Sequence, residues 1–148
     1  MVEEQLDELY REVILEHFRH SAHAGALSDA TVTVDGTNPL CGDELTFALK
    51  LGGGRIEAVR FRGKGCAISQ AAASMLAAAL ESRTLAQASS VIEAMKRLMH
   101  GQPPPEELEL GDLEALAGVR KFPVRIKCAA LSWNIVEQAL EESSHAAD

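Results

Sequence analysis

Three patterns in the sequence predict an α+β fold built on a three-stranded antiparallel sheet. Apolar and polar residues alternate over 44–51, three glycines follow, and a second strand-like segment covers 55–62, which together predict a hairpin. A shorter alternating segment over 31–35 supplies the third strand. From Ala67 onward the chain becomes helical in composition and in the spacing of its apolar residues.

The chain begins with a predicted helix and reaches the sheet through a short strand and a loop. Residues 3–18 place apolar side chains on one helical face. The members of that face are Leu6, Leu9, Tyr10, Val13, Ile14 and His17. A strand is predicted over Thr31–Asp35, and the stretch Gly36–Gly42, which contains a proline, is predicted to be a loop.

The predicted hairpin joins Glu44–Leu51 to Arg55–Arg62. Alternate apolar residues of the first strand share one face, namely Leu45, Phe47, Leu49 and Leu51. The turn is assigned to Gly52–Gly54 because glycine accepts positive φ freely. The return strand changes phase, since Ile56 and Val59 fall on opposite faces. That change predicts either a β-bulge or a strand covered on both sides.

The second half of the chain is predicted to contain four helical segments. An alanine-rich helix covers Ala67–Leu80, and Thr84 with Gln87 forms a capping box that opens the next helix. A short helix is expected around 113–116 and a long one over 123–141. The apolar stripe of the long helix is predicted to consist of Val124, Cys128, Leu131, Ile135 and Ala139, widened by Trp133 and Val136.

The length predicts one domain over residues 1–148, with a flexible tail at about 143–148, and the charge restricts its partners. The chain carries 14 Lys and Arg against 22 Asp and Glu, a net charge of −8. An acidic balance argues against nucleic acid and anionic membrane surfaces as partners. Because there is no apolar run of about 18 residues and no secretory signal at the N-terminus, we expect a cytoplasmic protein with reduced thiols.

Three cysteines and one aspartate are the candidate functional residues. Cys41 lies in the Pro-Gly loop two residues before Asp43, Cys66 opens the alanine-rich helix, and Cys128 lies in the first turns of the last helix. Three thiols with one carboxylate make a complete tetrahedral set for zinc or iron. The helix start is expected to favour the thiolate of Cys66. Arg125 and Lys127 are expected to favour that of Cys128.

Spacing alone leaves purely structural interpretations open. A cysteine within an apolar stripe, such as Cys128, is often a small core residue, and an isolated aspartate such as Asp43 is common in turns. The sequence has no C-x₂-C pair of the kind that marks zinc fingers. The histidines His17, His20 and His23 could be ligands, but a solvated helix end that carries histidines is the favoured interpretation.

The cysteine motifs, taken in order, resemble the U-type iron–sulfur assembly family, which contains the NifU N-terminal domain, IscU and SufU. The resemblance rests on NPLCGD at 38–43, GCAIS at 65–69 and Cys128 near the start of a C-terminal helix. It implies a SufE/NifU-like α+β fold with a three-stranded antiparallel sheet packed against helices. It also implies that the three cysteines meet at one exposed end, with Asp43 as a neighbour or fourth ligand.

Within that family the sequence is more similar to SufU than to IscU. The segment RIKC at 125–128 has Lys127 where IscU carries a histidine before the third cysteine. The chain also reads KFPVR at 121–125 in place of the Leu-Pro-Pro-Val-Lys segment of IscU. The SufU resemblance implies a zinc ion held by Cys41, Asp43, Cys66 and Cys128, and sulfur received from a cysteine desulfurase.

Two functions follow from the resemblance. The protein is expected to be a scaffold on which iron and sulfide form a transient [2Fe–2S] cluster for apo iron–sulfur proteins. The alternative is a zinc-dependent sulfur acceptor that activates the desulfurase without holding a cluster. In either case Cys41, on the loop, is the candidate thiol that leaves the metal and attacks the persulfide of the desulfurase. A structural zinc module without sulfur chemistry is a third interpretation.

Overall fold

The structure, a computed structural model, describes the backbone of residues 2–146 and the side chains of residues 10–143. Four α-helices, three strands and one 3₁₀ segment follow one another along this part of the chain. In order they are α1 (Val2–Arg19), β1 (Val32–Asn38), β2 (Asp43–Gly52), β3 (Arg55–Lys64), α2 (Ala67–Leu80), α3 (Leu85–Met99), the 3₁₀ segment Gly111–Lys121 and α4 (Pro123–Ala146).

The three strands form an antiparallel sheet in the order β1-β2-β3, as the sequence predicts. Gly53 and Gly54 connect β2 to β3 with φ values of 59° and 75°, the left-handed pair that a two-residue hairpin turn requires. The register shifts between Lys50 and Leu51, so Glu57 is an extra residue in β3. The predicted bulge is therefore present, and it explains the change of phase in the return strand.

The bulge places the apolar residues of both hairpin strands on the face that α2 and α4 cover. Six side chains of this face are buried, namely Leu45, Phe47, Leu49, Ile56, Val59 and Phe61. The rings of Phe47 and Phe61 lie opposite each other in the register, with centroids 6.0 Å apart. A sheet with one face under helices and one in water is the predicted α+β arrangement.

The three α-helices of the second half begin where the sequence predicts, and the short helix predicted around 113–116 is part of the longer 3₁₀ segment Gly111–Lys121. Helix α2 covers the predicted range and is buried on most sides, which suits its alanine-rich sequence. Helix α3 opens with the complete capping box of Thr84 and Gln87. In α4 the predicted stripe is buried from Cys128 onward, and Trp133 is almost fully enclosed.

Strand β1, residue Val124 and the C-terminal tail differ most from the prediction. Strand β1 continues through Gly36 to Asn38, so the loop before β2 is only 39–42. Gly36 pairs with Leu45 in this strand, and Ile135 of α4 packs on it so closely that a Cβ would lie 2.5 Å from the Ile135 side chain. Val124 was predicted in the buried stripe but is exposed, since it lies in the first turn of α4. The predicted tail at 143–148 is helical as far as Ala146.

His17 and His23, which were interpreted as part of a solvated helix end, instead join separate elements; for His17 this agrees with its predicted place on the apolar face of the first helix. His17 Nδ1 lies 2.8 Å from Ser74 Oγ, and His17 Nε2 lies 2.7 Å from Asp112 Oδ2. The ring of His23 hydrogen-bonds Glu81. These contacts attach α1 and the residues after it to α2 and the 3₁₀ segment. His20 is exposed, as predicted.

None of the described helices is both long enough and apolar enough to span a membrane.

Candidate metal centre

The topology brings the three cysteine segments to one edge of the sheet. Asn38 at the end of β1 pairs with Asp43 at the start of β2, and Glu44 pairs with Lys64 at the end of β3. The loop that holds Cys41 therefore lies beside the junction from which α2 begins. The N-terminal turns of α4 reach the same edge, because α4 packs across β1 through Gly36.

At this edge the structure brings together Cys41, Asp43 and Cys128. One ligand atom from each of the three residues lies within 4.8 Å of the other two. The Cys41 and Cys128 sulfurs are 2.9 Å apart, and all three cysteines are free thiols. Cys128 is completely buried, whereas Cys41 is partly exposed. The group is therefore reached from solvent on the Cys41 side.

Cys66 borders the group as the N-cap residue of α2, with its side chain partly exposed. Its backbone N–H donates to Asp43 Oδ1 over 2.9 Å. Its thiol is one of the neighbours that raise the pKa of Cys128, after burial and the Cys41 thiol. All four residues singled out in the sequence thus lie at the same edge.

The Asp43 carboxylate is buried and held by hydrogen bonds on both oxygens. Oδ1 accepts from the Cys66 N–H and from Ser69 Oγ at 3.1 Å, and Oδ2 accepts from Asn38 Nδ2 at 3.2 Å. Burial disfavours the charged form, but these hydrogen bonds and one with the Cys128 thiol outweigh it and hold the pKa of Asp43 below its ordinary value. Asp43 is therefore ionised at neutral pH.

The Cys128 thiol, in contrast, favours its neutral form, and the prediction that its thiolate is favoured is therefore wrong. Burial raises the pKa of Cys128 well above its ordinary value, and hydrogen bonds with Cys41, Cys66 and Asp43 raise it further. Arg125 and Lys127 do not stabilise the thiolate enough to offset the free-energy cost of burying its charge. A divalent ion bound at the sulfur would reverse the balance, because coordination deprotonates a thiol.

Of the predicted neighbouring cations, Arg125 interacts with the thiols. The pKa of Arg125 lies above its ordinary value, chiefly because its guanidinium would be stabilised by the Cys128 sulfur and by the charge of the cysteines once they ionise. Lys127 is exposed, and Lys64 Nζ lies 3.2 Å from Glu44 Oε2. Arg125 is thus positioned to offset the negative charge that a site of three thiolates and one carboxylate would carry.

Two residues that support the site were missed at the sequence level. The Asn38 amide bridges the site, since Nδ2 is 3.2 Å from Asp43 Oδ2 and 3.6 Å from Cys128 Sγ. Ser69, buried in the first turn of α2, donates to Asp43 Oδ1. The signal for both was their place in the family motifs, since Asn38 opens NPLCGD and Ser69 closes GCAIS.

The donor set fits zinc or iron. Soft sulfur ligands combined with one carboxylate are a set that both metals accept, and the Cys41 side remains open to an incoming group. The hydrogen bonds on Asp43 supply the outer layer of contacts that orients a ligating carboxylate.

Comparison with known proteins identifies the family of this chain. The family model described as NifU-like N terminal domain matches residues 9–140. The chain is 43% identical over 135 residues to the zinc-dependent sulfurtransferase SufU of Bacillus subtilis, covering 91% of each chain. It is 37% identical to the iron–sulfur cluster assembly scaffold protein IscU of Streptococcus pyogenes, covering 96% of this chain and 89% of the relative.

A solved structure supports the same assignment. The fold matches the crystal structure of a putative iron–sulfur cluster assembly scaffold protein for the SUF system from Fervidobacterium islandicum, with a TM-score of 0.83 and 31% identity. The alignment covers 87% of this chain and 94% of that one. The chain therefore belongs to the NifU-like N-terminal domain family.

Proposed function

We propose that this protein is an iron–sulfur cluster assembly protein that binds metal through Cys41, Asp43, Cys66 and Cys128. The observation that carries the proposal is the convergence of these residues, three of them with ligand atoms within 4.8 Å of one another, on an edge with one open side. Iron and sulfide would be the cargo, assembled at the three thiols as a transient [2Fe–2S] cluster and passed to apo iron–sulfur proteins. A carboxylate as the fourth ligand suits a cluster that must be released.

The same four residues would hold a zinc ion when no cluster is present. Bound zinc would keep the thiols deprotonated, which matters most for Cys128 because burial otherwise favours its neutral form. Asp43 is already ionised, and Asn38 and Ser69 orient its two oxygens. Arg125 offsets part of the remaining negative charge.

A second candidate function is a zinc-dependent sulfur acceptor that activates a cysteine desulfurase. Two observations favour it: the chain is 43% identical to a relative named a zinc-dependent sulfurtransferase, and the Cys41 side chain is partly exposed. In the transfer step the Cys41 thiolate attacks the outer sulfur of the donor's persulfide. The donor's S–S bond breaks as the new one forms, and the donor cysteine leaves as a thiolate. Cys41 is the proposed acceptor because it is partly exposed on the loop 39–42, whereas Cys128 is fully enclosed and Cys66 is the N-cap residue of α2.

Anaerobic reconstitution with iron and sulfide tests the scaffold function. Visible absorbance of a [2Fe–2S] cluster, followed by its transfer to an apo-ferredoxin, is the expected result. Zinc-loaded protein that accelerates the desulfurase but forms no transferable cluster would favour the acceptor function instead.

Replacing Cys41 by alanine is expected to remove acceleration of the desulfurase, with a loss of about tenfold or more in turnover. Mass spectrometry should find one added sulfur atom on Cys41 of the wild-type protein after incubation with desulfurase and L-cysteine. Cys66→Ala is the matched control, because it also removes a ligand but leaves the acceptor thiol in place. Undiminished acceleration by Cys41→Ala would exclude the assignment.

Replacing Asn38 by alanine is expected to weaken zinc binding by about 10–100-fold, since a buried carboxylate and a buried thiol lose a shared donor. The free energy of unfolding should fall by about 1–3 kcal/mol. Competition against a chromophoric chelator and urea unfolding measure the two quantities. The exposed Asn134 on α4 supplies the control variant Asn134→Ala, which should change neither. Equal zinc affinity in both variants would contradict the role given to Asn38.

We also infer a single domain and a cytoplasmic location. Three free thiols at an accessible site require a reducing compartment if they are to remain unpaired. Detection of a stable disulfide between Cys41 and Cys128 in protein taken directly from cells would contradict that location.

A further inference from the structure

A groove lies where four elements of the structure meet: α1, the start of α2, the 3₁₀ segment and the start of α4. Its volume is about 370 Å³, and residues of all four elements line it. None of the four candidate metal ligands is among them, although Arg125 lines the groove and also lies beside the thiols. The groove is therefore a site of its own next to the candidate metal centre.

The inner wall of the groove is apolar. Ile14 and Leu15 of α1 and Ile68 of α2 line it with partly buried side chains. Ala115 and Val119 of the 3₁₀ segment line it from the side of the core, since both are buried. An aliphatic chain that replaced water against this wall would bind favourably, because apolar surface on both partners would be removed from water.

Gly118 leaves space open in this wall. It lies in the 3₁₀ segment and lines the groove, and a Cβ at this position would meet nothing within 4 Å. Its φ is not positive, so its backbone conformation does not favour glycine. Neither a close contact nor the backbone therefore requires a glycine here. What the missing side chain provides is room inside the groove.

The rim of the groove is cationic. Arg11, Lys121 and Arg125 line the groove with exposed side chains, and none of the described residues that line it is acidic. The chain as a whole has a net charge of −8, so three cations at one groove are a local exception. A guanidinium presents planar N–H donors that match a carboxylate. The rim is thus complementary to an anionic head group, and the wall is complementary to an apolar tail.

We propose that this groove is a binding site for a small aliphatic carboxylate, with its chain against the inner wall and its head group at the cationic rim. The volume of the groove falls in the range of small-molecule sites, about 300–1,000 Å³. The inference does not depend on sulfur transfer, because none of the three thiols lines the groove.

Titration of the zinc-loaded protein with decanoate tests the site. Binding is expected below the concentration at which decanoate forms micelles, with amide NMR shifts concentrated on the residues that line the groove. Octanoate should bind about tenfold more weakly, because it buries two fewer methylene groups, each contributing about threefold to fourfold. Decanol has the same chain without the charge. It should also bind about tenfold more weakly than decanoate, and added salt should reduce that difference.

Two pairs of variants locate the ligand. Gly118→Leu fills the groove and should lower decanoate affinity by about tenfold or more, whereas Ala86→Leu, at an exposed position of α3, should bind as the wild type does. Arg11→Gln removes one rim cation and should lower the affinity by about twofold to fivefold. Arg19→Gln, at the exposed end of α1 and outside the groove, should leave it unchanged. Zinc content and the thermal midpoint should stay at wild-type values in both arginine variants.

Absence of decanoate binding would overturn the proposal, and so would equal affinities for decanoate and decanol. Wild-type decanoate affinity in Gly118→Leu or in Arg11→Gln would place the probe elsewhere, for example on the zinc ion, and would overturn it as well. Because Arg11 and Arg19 are exposed, this pair decides the question even if Gly118→Leu does not fold. Loss of desulfurase acceleration in a folded Gly118→Leu, with no decanoate binding to the wild type, would assign the groove to a protein partner instead.

Discussion

The variant Gly65→Ala is expected to lose nearly all metal binding, although Gly65 donates no ligand. Its φ of +153° is a conformation that residues with a Cβ rarely adopt. A Cβ at this position would lie 2.3 Å from Asp43 Oδ1 and 2.6 Å from Ser69 Oγ, well inside contact distance. The carboxylate must then move away from the Cys66 N–H that holds it. We expect a decrease in zinc affinity of about 100-fold or more, and a destabilisation of about 1–3 kcal/mol.

The variant Gly54→Ala separates the effect of backbone strain from the effect of the clash with Asp43 and Ser69. Gly54 also has positive φ, at 75°, but a Cβ there would meet nothing within 4 Å. This hairpin variant should lose stability through backbone strain and keep wild-type zinc affinity. Chelator competition gives the affinities, and urea unfolding gives the stabilities. Wild-type zinc affinity in Gly65→Ala would mean that the position of Asp43 does not depend on this close approach.

The sheet and the helix starts were predictable because their signals are local. The hairpin turn is determined by Gly53 and Gly54, and the start of α3 by Thr84 and Gln87, within four residues in each case. The bulge was also predictable from local sequence, because the alternation of apolar residues changes phase within one strand. Val124 marks the limit of such reasoning. Helical spacing identifies a face, but it does not indicate that the first turn extends beyond the core.

The arrangement of the site depends on contacts that sequence spacing does not encode. From spacing alone, Cys128 could equally be a core residue. Only the resemblance to the family predicted that the three cysteines meet. Asn38 was missed because it reaches Cys128 across 90 positions of the chain. The partners of His17 were missed for the same reason, since Ser74 and Asp112 are 57 and 95 positions away.

The pKa values of the site explain why metal binding and folding should respond to pH in opposite directions. Without metal, the raised pKa of Cys128 contributes stability that is fully present below the ordinary thiol pKa of about 8.5. That contribution is lost as the pH rises above this value. Zinc binding instead requires the thiolate, so zinc affinity should increase with pH over the neutral range.

Replacing Cys128 by serine is therefore expected to lower the number of protons released on zinc binding by one, and to weaken binding by about 100-fold or more. The buried thiol is protonated in metal-free protein at neutral pH and must ionise to coordinate, whereas a serine hydroxyl has no such proton to release. Calorimetric titration with zinc in two buffers of different ionisation enthalpy counts the protons. Asp43→Ala is the matched control, because the low pKa of Asp43 means that it releases no proton. Its affinity should fall while its proton count stays at the wild-type value. An unchanged count in Cys128→Ser would mean that the buried sulfur is not a zinc ligand.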